Sequence, residues 1–390
     1  MKAKDRRLAE LRHSIPEVSP EEALAMQKSG AALIDVRDTD EIAQGSPTGA
    51  HRLGRSYLEL RVEEAVPDMD QPLVVMCAGG VRSLFASDAL KNMGYSKVHS
   101  IAGGFSRWKN EGHPFEVPKM LDAEDRERYA RHILMPDVGE AGQLKLQGSK
   151  VLLIGAGGLG SPSSYYLAAA GVGTIGMVDH DVVDKSNLQR QILHREDTVG
   201  LPKVESARKA LMALNSRLNF VAHETHLDSS NVEEIFAGYD VIVDGTDNLA
   251  TRYLINDACV KMGLPNVHAA VYRFEGQLTV FWPEYGAEHG GCYRCMFPNP
   301  PPPEMAPSCA EAGVLGVMPG TVGLLQAVEV LKILLDIGEP LVGRMLHYDA
   351  LGARFTELKI KPNPNCLYCG EGAEFPGYED YAQVCASAKS

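Results

Sequence analysis

The sequence predicts an α/β protein of two domains, the second built on a mostly parallel sheet, and three observations carry that expectation. Short apolar runs bounded by turn residues alternate with helical pattern through most of the 390 residues, the signature of strand–helix–strand units. A thiol-bearing turn, Cys77-Ala78-Gly79-Gly80-Val81-Arg82, joins one such run to a helix in the first half. A glycine-rich turn, Gly155-Ala156-Gly157-Gly158-Leu159-Gly160, does the same in the second half. At about 100 to 200 residues per domain the chain has room for two or three cores. Its 38 Lys and Arg against 51 Asp and Glu leave a net charge of −13, with 45% hydrophobic and 23% charged residues. That is a globular composition, and it excludes a chain that is wholly disordered, collagenous or coiled coil. The acidic balance argues against a nucleic-acid partner bound through a broad basic surface, because Lys and Arg carry phosphate affinity.

Taken in order, residues 1–13 are too densely charged for a secretory signal, so they read as a leader and the protein as cytoplasmic. The first domain spans 14–117. Ser19-Pro20-Glu21-Glu22 is a capping box that opens a helix, with Pro at the first helical position. Residues 31–36 and 73–77 read as buried strands and 81–93 as the helix after the second. Residues 115–120 form a linker, and 122–132 a charged helix. The second domain spans 118–370, with strands at 151–154, 174–178, 240–243 and 277–281 and a helix from the glycine turn to about residue 170. No charge occurs between residues 151 and 178, yet repeated Gly, Ser and Pro favour two buried strands around a helix over a membrane span. The proline cluster at 298–307 reads as an exposed crossover loop, and 371–390 as a polar tail.

Cys77 at a strand end faces a loop whose N–H groups and helix N-terminus lower a thiolate's pKa, with Arg82 adding positive charge. An inert buried cysteine is the bland alternative. With Asp35-Val36-Arg37 and Gly103-Gly104-Phe105-Ser106-Arg107-Trp108, this loop resembles a rhodanese domain over nearly all of 14–117. The resemblance implies that Cys77 carries a persulfide, its sulfur drawn from thiosulfate or a persulfide-carrying desulfurase. Gly45-Ser46-Pro47 departs from that family, which often has His after the glycine.

Gly155-x-Gly157-x-x-Gly160 lets a backbone approach phosphate at a helix N-terminus, and Gly158 lies in that loop. About 20 residues on, Asp179 suits ribose hydroxyls, so this segment alone does not separate NAD from ATP. The downstream residues do. Asn187, Arg190 and Lys203 follow the acidic strand, and Asp244-Gly245-Thr246-Asp247-Asn248 follows another. Cations on phosphates and a carboxylate for Mg²⁺ suit attack on an α-phosphate, whereas hydride transfer needs neither. With Arg128-Tyr129-Ala130-Arg131 these motifs closely resemble the E1-like adenylating enzymes of the MoeB and ThiF type, from about residue 122 to 370. By that likeness Asp179 binds ribose, Asn187, Arg190 and Lys203 bind the triphosphate, Asp247 holds Mg²⁺, and Arg131 reaches ATP across a homodimer interface.

Cys292-Tyr293-Arg294-Cys295 and Cys366-Leu367-Tyr368-Cys369 supply four thiolates for a structural Zn²⁺ that would staple distant segments. Cys309 lies outside both pairs, and the resemblance gives it a role in acyl or disulfide transfer; Cys259 reads as core. Together the two resemblances imply ATP-dependent adenylation of the C-terminal carboxylate of a small ubiquitin-like sulfur carrier ending in Gly-Gly, then sulfur transfer from Cys77. In eukaryotic relatives the rhodanese domain follows the adenylating domain, whereas here it precedes it. An NAD-dependent oxidoreductase and a non-catalytic carrier-binding scaffold are the rival readings.

Overall fold

The computed structural model describes residues 2–286, 290–300 and 313–379. The chain divides into two compact units between Met120 and Leu121. The first holds β1 (Glu17–Val18), β2 (Ala32–Asp35), β3 (Ser46–Pro47), β4 (His51–Arg52), β5 (Leu73–Met76), β6 (Val98–Ile101) and β7 (Phe115–Glu116). Five of them form a parallel sheet in the order β1-β6-β5-β2-β4, and β3 pairs with β7 apart from it. β2 and β5 are buried along their whole length, as fits central strands covered on both faces. The expected capping box is present: Ser19 accepts from the Glu22 N–H while Glu22 accepts from the Ser19 N–H, opening helix Pro20–Lys28.

The N-terminal residues form a helix, Ala3–Ser14. Leu11 and Ile15 pack with Leu84 of helix Val81–Met93, and Arg7 meets Asp88 at 2.6 Å. The packed face is narrow, so residues 1–13 carry little hydrophobic pattern to announce it.

The second unit holds β8 (Lys150–Ile154), β9 (Thr174–Val178), β10 (Asn219–His223), β11 (Val241–Asp244), β12 (Asn266–Tyr272), β13 (Glu275–Phe281), β14 (Arg344–Asp349) and β15 (Arg354–Lys359). They form one sheet in the order β10-β9-β8-β11-β12-β13-β14-β15, parallel from β10 to β12 and antiparallel beyond. The chain runs outward from β8 to β10 and then returns to β11 on the other side of β8. That reversal opens a crevice at the strand C-termini, the place where such sheets bind ligands.

The expected helix at 122–132 is broken into Ala123–Arg128 and Ala130–Ile133. Tyr129 between them is 4% exposed, and its hydroxyl accepts from Asn215 Nδ2 at 3.1 Å. Seating that ring bends the backbone where the charge pattern alone would run straight. Helix Val317–Leu335 is long and apolar enough to cross a membrane by length and composition. In this fold it buries Met318, Val322, Val330 and Leu334 against the sheet and helix Gly160–Ala170.

Candidate functional sites

In the second unit the β8 turn lies at the crevice. A Cβ on Gly160 would fall 2.1 Å from the Gly155 carbonyl oxygen, so the turn into helix Gly160–Ala170 closes only without a side chain there. A pocket beside it is lined by Gly157, Gly158, Asp179, Arg190, Lys203 and Asp247. Asp179, at the end of β9, accepts from the Ala156 N–H at 2.8 Å and the Asp181 N–H at 2.9 Å. Lys203 is 7% exposed, and its ammonium sits 2.8 Å from Asp181 Oδ2. Burial raises the Asp181 carboxyl pKa, but the hydrogen bond and charge of Lys203 outweigh it and hold the carboxyl below its usual range. Among the described residues Arg190 is tethered by a 3.3 Å bond to the Ser186 carbonyl, and it is half-buried. Asp247 is exposed in the pocket, while neighbouring Asn248 caps helix Leu249–Met262 by accepting from the Thr251 N–H at 2.9 Å.

Behind that wall, Asp244 is fully buried and 2.7 Å from His268 Nδ1, and it also accepts from the Thr246 N–H and hydroxyl. Burial pushes its carboxyl up, yet His268, the charge of Arg252 and Thr246 bring it below the usual range. Asp244 thus shapes the turn, and Asp247 faces the pocket.

In the first unit Cys77 follows β5 and is 1% exposed. Its Sγ accepts from the Gly80 N–H at 3.1 Å and lies 3.5 Å from Ser83 Oγ. Helix Gly104–Asn110 approaches so closely that a Cβ on Gly104 would sit 2.1 Å from the Cys77 carbonyl oxygen. The Phe105 and Ser106 N–H groups bond the Cys77 and Ala78 carbonyls at 2.8 and 3.0 Å. The Gly103-Gly104 pair therefore exists to let one helix clamp the thiol loop. Arg82, expected to add positive charge to the thiol loop, also grips Glu41 at 2.5 and 2.7 Å. That bond, with a smaller contribution from Cys77, raises the guanidinium pKa. Asp35 and Arg37 form a buried pair at 2.6 Å under the loop region, with Arg37 also donating to the Gly45 carbonyl.

The two Cys-x-x-Cys knuckles meet. Cys292 Sγ is 4.0 Å from Cys295 Sγ and 3.7 Å from Cys366 Sγ, and Cys295 Sγ is 3.4 Å from Cys369 Sγ. A tetrahedron of Zn–S bonds of about 2.3 Å has edges of about 3.8 Å, so the donors fit Zn²⁺. Four thiols packed this closely share protons through hydrogen bonds, and a divalent cation bound as four thiolates would take the place of those protons. Arg294 between the first two ligands makes a bidentate bond to Asp257 at 2.8 and 2.7 Å and lies 4.0 Å over the Tyr368 ring of the second knuckle. The knuckles are thereby fastened to helix Leu249–Met262, which starts beside Asp247. Residues 371–379 pack back here, with Phe375 against the cysteine cluster and Lys261 Nζ 5.1 Å from its ring. We expect the purified chain to hold about one zinc by elemental analysis, and Cys366→Ser to lose most of it and melt earlier. Full zinc content in that variant would remove the four-thiolate assignment.

Comparison with known proteins follows this geometry. The model of the ThiF family matches residues 129–368, and that of the rhodanese-like domain matches 19–111. The chain belongs to the ThiF family. The SAMP-activating enzyme E1 of Haloferax volcanii is 51% identical over 68% of this chain and 97% of its own length. The sulfur carrier protein adenylyltransferase of Thermus thermophilus is 49% identical over 67% of this chain and 97% of its length. The probable adenylyltransferase/sulfurtransferase MoeZ of Mycobacterium tuberculosis is 48% identical over 69% of this chain and 67% of its length. Among solved structures, E. coli MccB with ATP shares the fold, with a TM-score of 0.55 at 24% identity over 64% of this chain and 76% of that one.

Within this ThiF-family unit, the structure gathers Gly158, Asp179, Arg190, Lys203 and Asp247 around one pocket. It does not bring Asn187 there: Asn187 Oδ1 accepts from the Asp184 N–H at 3.1 Å and closes a short turn. Arg131 is exposed on helix Ala130–Ile133, away from the pocket lining. Cys309, the adjoining residues 301–312 and Cys385 lie outside the described residues. Sequence reasoning missed the parts played by Asp181 and Arg252, which also line the pocket. Asp181 was visible as the second acid of Asp179-His180-Asp181; nothing local marked Arg252.

Proposed function

We propose that the ThiF-family unit uses ATP to adenylate the C-terminal carboxylate of a small ubiquitin-like sulfur carrier ending in Gly-Gly, and that the rhodanese-like unit supplies the sulfur. The single observation that carries this reading is the convergence of a glycine turn, two cations and an exposed carboxylate, Asp247, on one pocket. A carrier carboxylate oxygen attacks the α-phosphorus, the P–O bond to pyrophosphate breaks, and an acyl-adenylate results. Arg190 and Lys203 stabilise charge on the phosphoryl oxygens, which requires Lys203 to leave Asp181 for the phosphates. Asp247 holds Mg²⁺, which neutralises phosphate charge. Asp179 takes the ribose hydroxyls through the lone pairs that its bonds from the Ala156 and Asp181 N–H groups leave over. An NAD-dependent oxidoreductase gains no support from these cations, and a scaffold would not need them.

The terminal sulfur of a persulfide on Cys77 then attacks the acyl carbon and AMP leaves, giving an acyl disulfide. Attack by a second thiol, the role assigned to Cys309, frees the carrier thiocarboxylate and leaves a protein disulfide that an external thiol reduces. Thiosulfate or a persulfide-carrying desulfurase charges Cys77. Zn²⁺ on Cys292, Cys295, Cys366 and Cys369 is structural, because all four tetrahedral positions are taken. Arg131 contributes to ATP binding across a homodimer interface; exposed Leu134 and Met135 beside it support a face covered by a second copy. The reading places the protein in the cytoplasm, where thiols stay reduced.

The test is mass spectrometry of Gly-Gly-ended carriers after incubation with the chain, MgATP, thiosulfate and a thiol reductant. A gain of about 16 mass units, the exchange of O for S at the activated carboxyl, is the expected result. No gain with any such carrier would overturn the coupled scheme.

A further inference from the structure

A buried histidine that the motifs do not use connects the moving parts of the nucleotide pocket. His194 is 4% exposed and lies in the segment between Arg190 and Lys203. Its Nε2 is 3.0 Å from the Ala156 carbonyl oxygen, inside the glycine turn. Its Nδ1 is 2.9 Å from Ser206 Oγ, on helix Lys203–Leu214 one turn after the lysine. Ser206 Oγ in turn lies 2.9 Å from Thr198 Oγ1, and the Thr198 hydroxyl is 2.9 Å from the Arg195 carbonyl. A carbonyl only accepts, so Nε2 carries a proton and donates to Ala156. Burial and Lys203 lower the imidazole pKa against the Ala156 bond and Asp179, which raise it. The single Ser206 hydroxyl proton serves Nδ1 or Thr198 Oγ1, and in either case the ring stays 2.9 Å from the helix that carries Lys203.

The consequence lies in what Ala156 does. Its N–H is held by Asp179 at 2.8 Å and its carbonyl by His194, so this residue, set between Gly155 and Gly157, is clamped on both sides. Glycines on either side leave the turn free to rotate unless something outside it fixes its peptide planes. The Gly155 N–H is held by the Val178 carbonyl and the Gly157 carbonyl by the Ser161 N–H, while the Ala156 peptide is held by the two side chains Asp179 and His194. We infer that His194 is a positioning residue for nucleotide binding: it sets the Ala156 peptide, and with it the phosphate-facing turn, in register with the helix that carries Lys203. It touches neither nucleotide nor carrier in this account. The inference rests on the pocket being the nucleotide site.

Direct MgATP binding to the full chain by calorimetry tests this, because it needs no carrier. A Gln side chain reaches far enough to donate to the Ala156 carbonyl, and an Asn side chain does not. Loss of one such bond corresponds to roughly a three- to tenfold weakening. His194→Asn is therefore expected to raise the MgATP Kd by about that factor, and His194→Gln to restore it to within about twofold. Both variants keep the zinc content and the melting transition of the unaltered chain, which report that the second unit has folded. Equal weakening in the two variants, or wild-type affinity in His194→Asn, overturns the proposal. If His194→Asn does not fold, Ser206→Ala decides: it releases Nδ1, and an unchanged Kd overturns the role. Failure of the unaltered chain to bind MgATP would instead overturn the assignment of the pocket itself.

Discussion

Cys77→Ser is expected to abolish thiosulfate sulfurtransferase turnover, by about three orders of magnitude or more, and to leave MgATP affinity unchanged. A hydroxyl is a far weaker nucleophile at neutral pH than a thiol and forms no persulfide. The substitution is nearly isosteric, and the loop is held from outside the side chain by the Phe105 and Ser106 N–H bonds and by the Gly104 approach. Loss of activity thus reports chemistry rather than unfolding. Activity retained within about tenfold would mean that another group accepts the sulfur and that buried Cys77 is inert.

Asp247→Asn is expected to lower carrier-dependent ATP–pyrophosphate exchange by about 10²- to 10³-fold, with the melting temperature unchanged. Two aspartates of one turn separate here by environment. Asp244 is fully buried and bound to His268 and Thr246, so its loss strands a buried imidazole and weakens the fold. Asp247 is exposed in the pocket, so its loss removes charge where Mg²⁺ and phosphate are to sit. Exchange at the unaltered rate in Asp247→Asn would remove the Mg²⁺ assignment. The contrast with Asp244→Asn, expected to melt earlier, keeps the two roles apart.

Neither contrast could be drawn from the spacing of the motif. Asp244-Gly245-Thr246-Asp247-Asn248 offers two acids on one loop, and only their burial tells structure from site. Lys203 shows the same division. The likeness to the adenylating enzymes marked it as a triphosphate ligand, but its partner in this state is Asp181, 2.8 Å away. Arg82 likewise reads as a cation for Cys77 and is found on Glu41, which lies 41 positions earlier in the chain. Asn187 went the other way: read as a phosphate contact, it caps a turn with Asp184. The broken helix at Tyr129 has the same origin, since only the pocket that takes its ring explains the bend.

What the sequence determined by itself is what the backbone demands locally. The glycine turn that ends at Gly160, the Ser19 capping box and two Cys-x-x-Cys knuckles all follow from contacts a few residues long or from the absence of a Cβ. Those constraints are written in residue type and spacing, and they suffice to locate both reactive turns. The tertiary structure alone decided which charges meet, which acid is buried, that the two knuckles share one tetrahedron, and that His194 spans the glycine turn and the Lys203 helix. These depend on segments far apart in sequence being folded to within about 3 Å, the range over which hydrogen bonds act. No periodicity in a single chain encodes that distance.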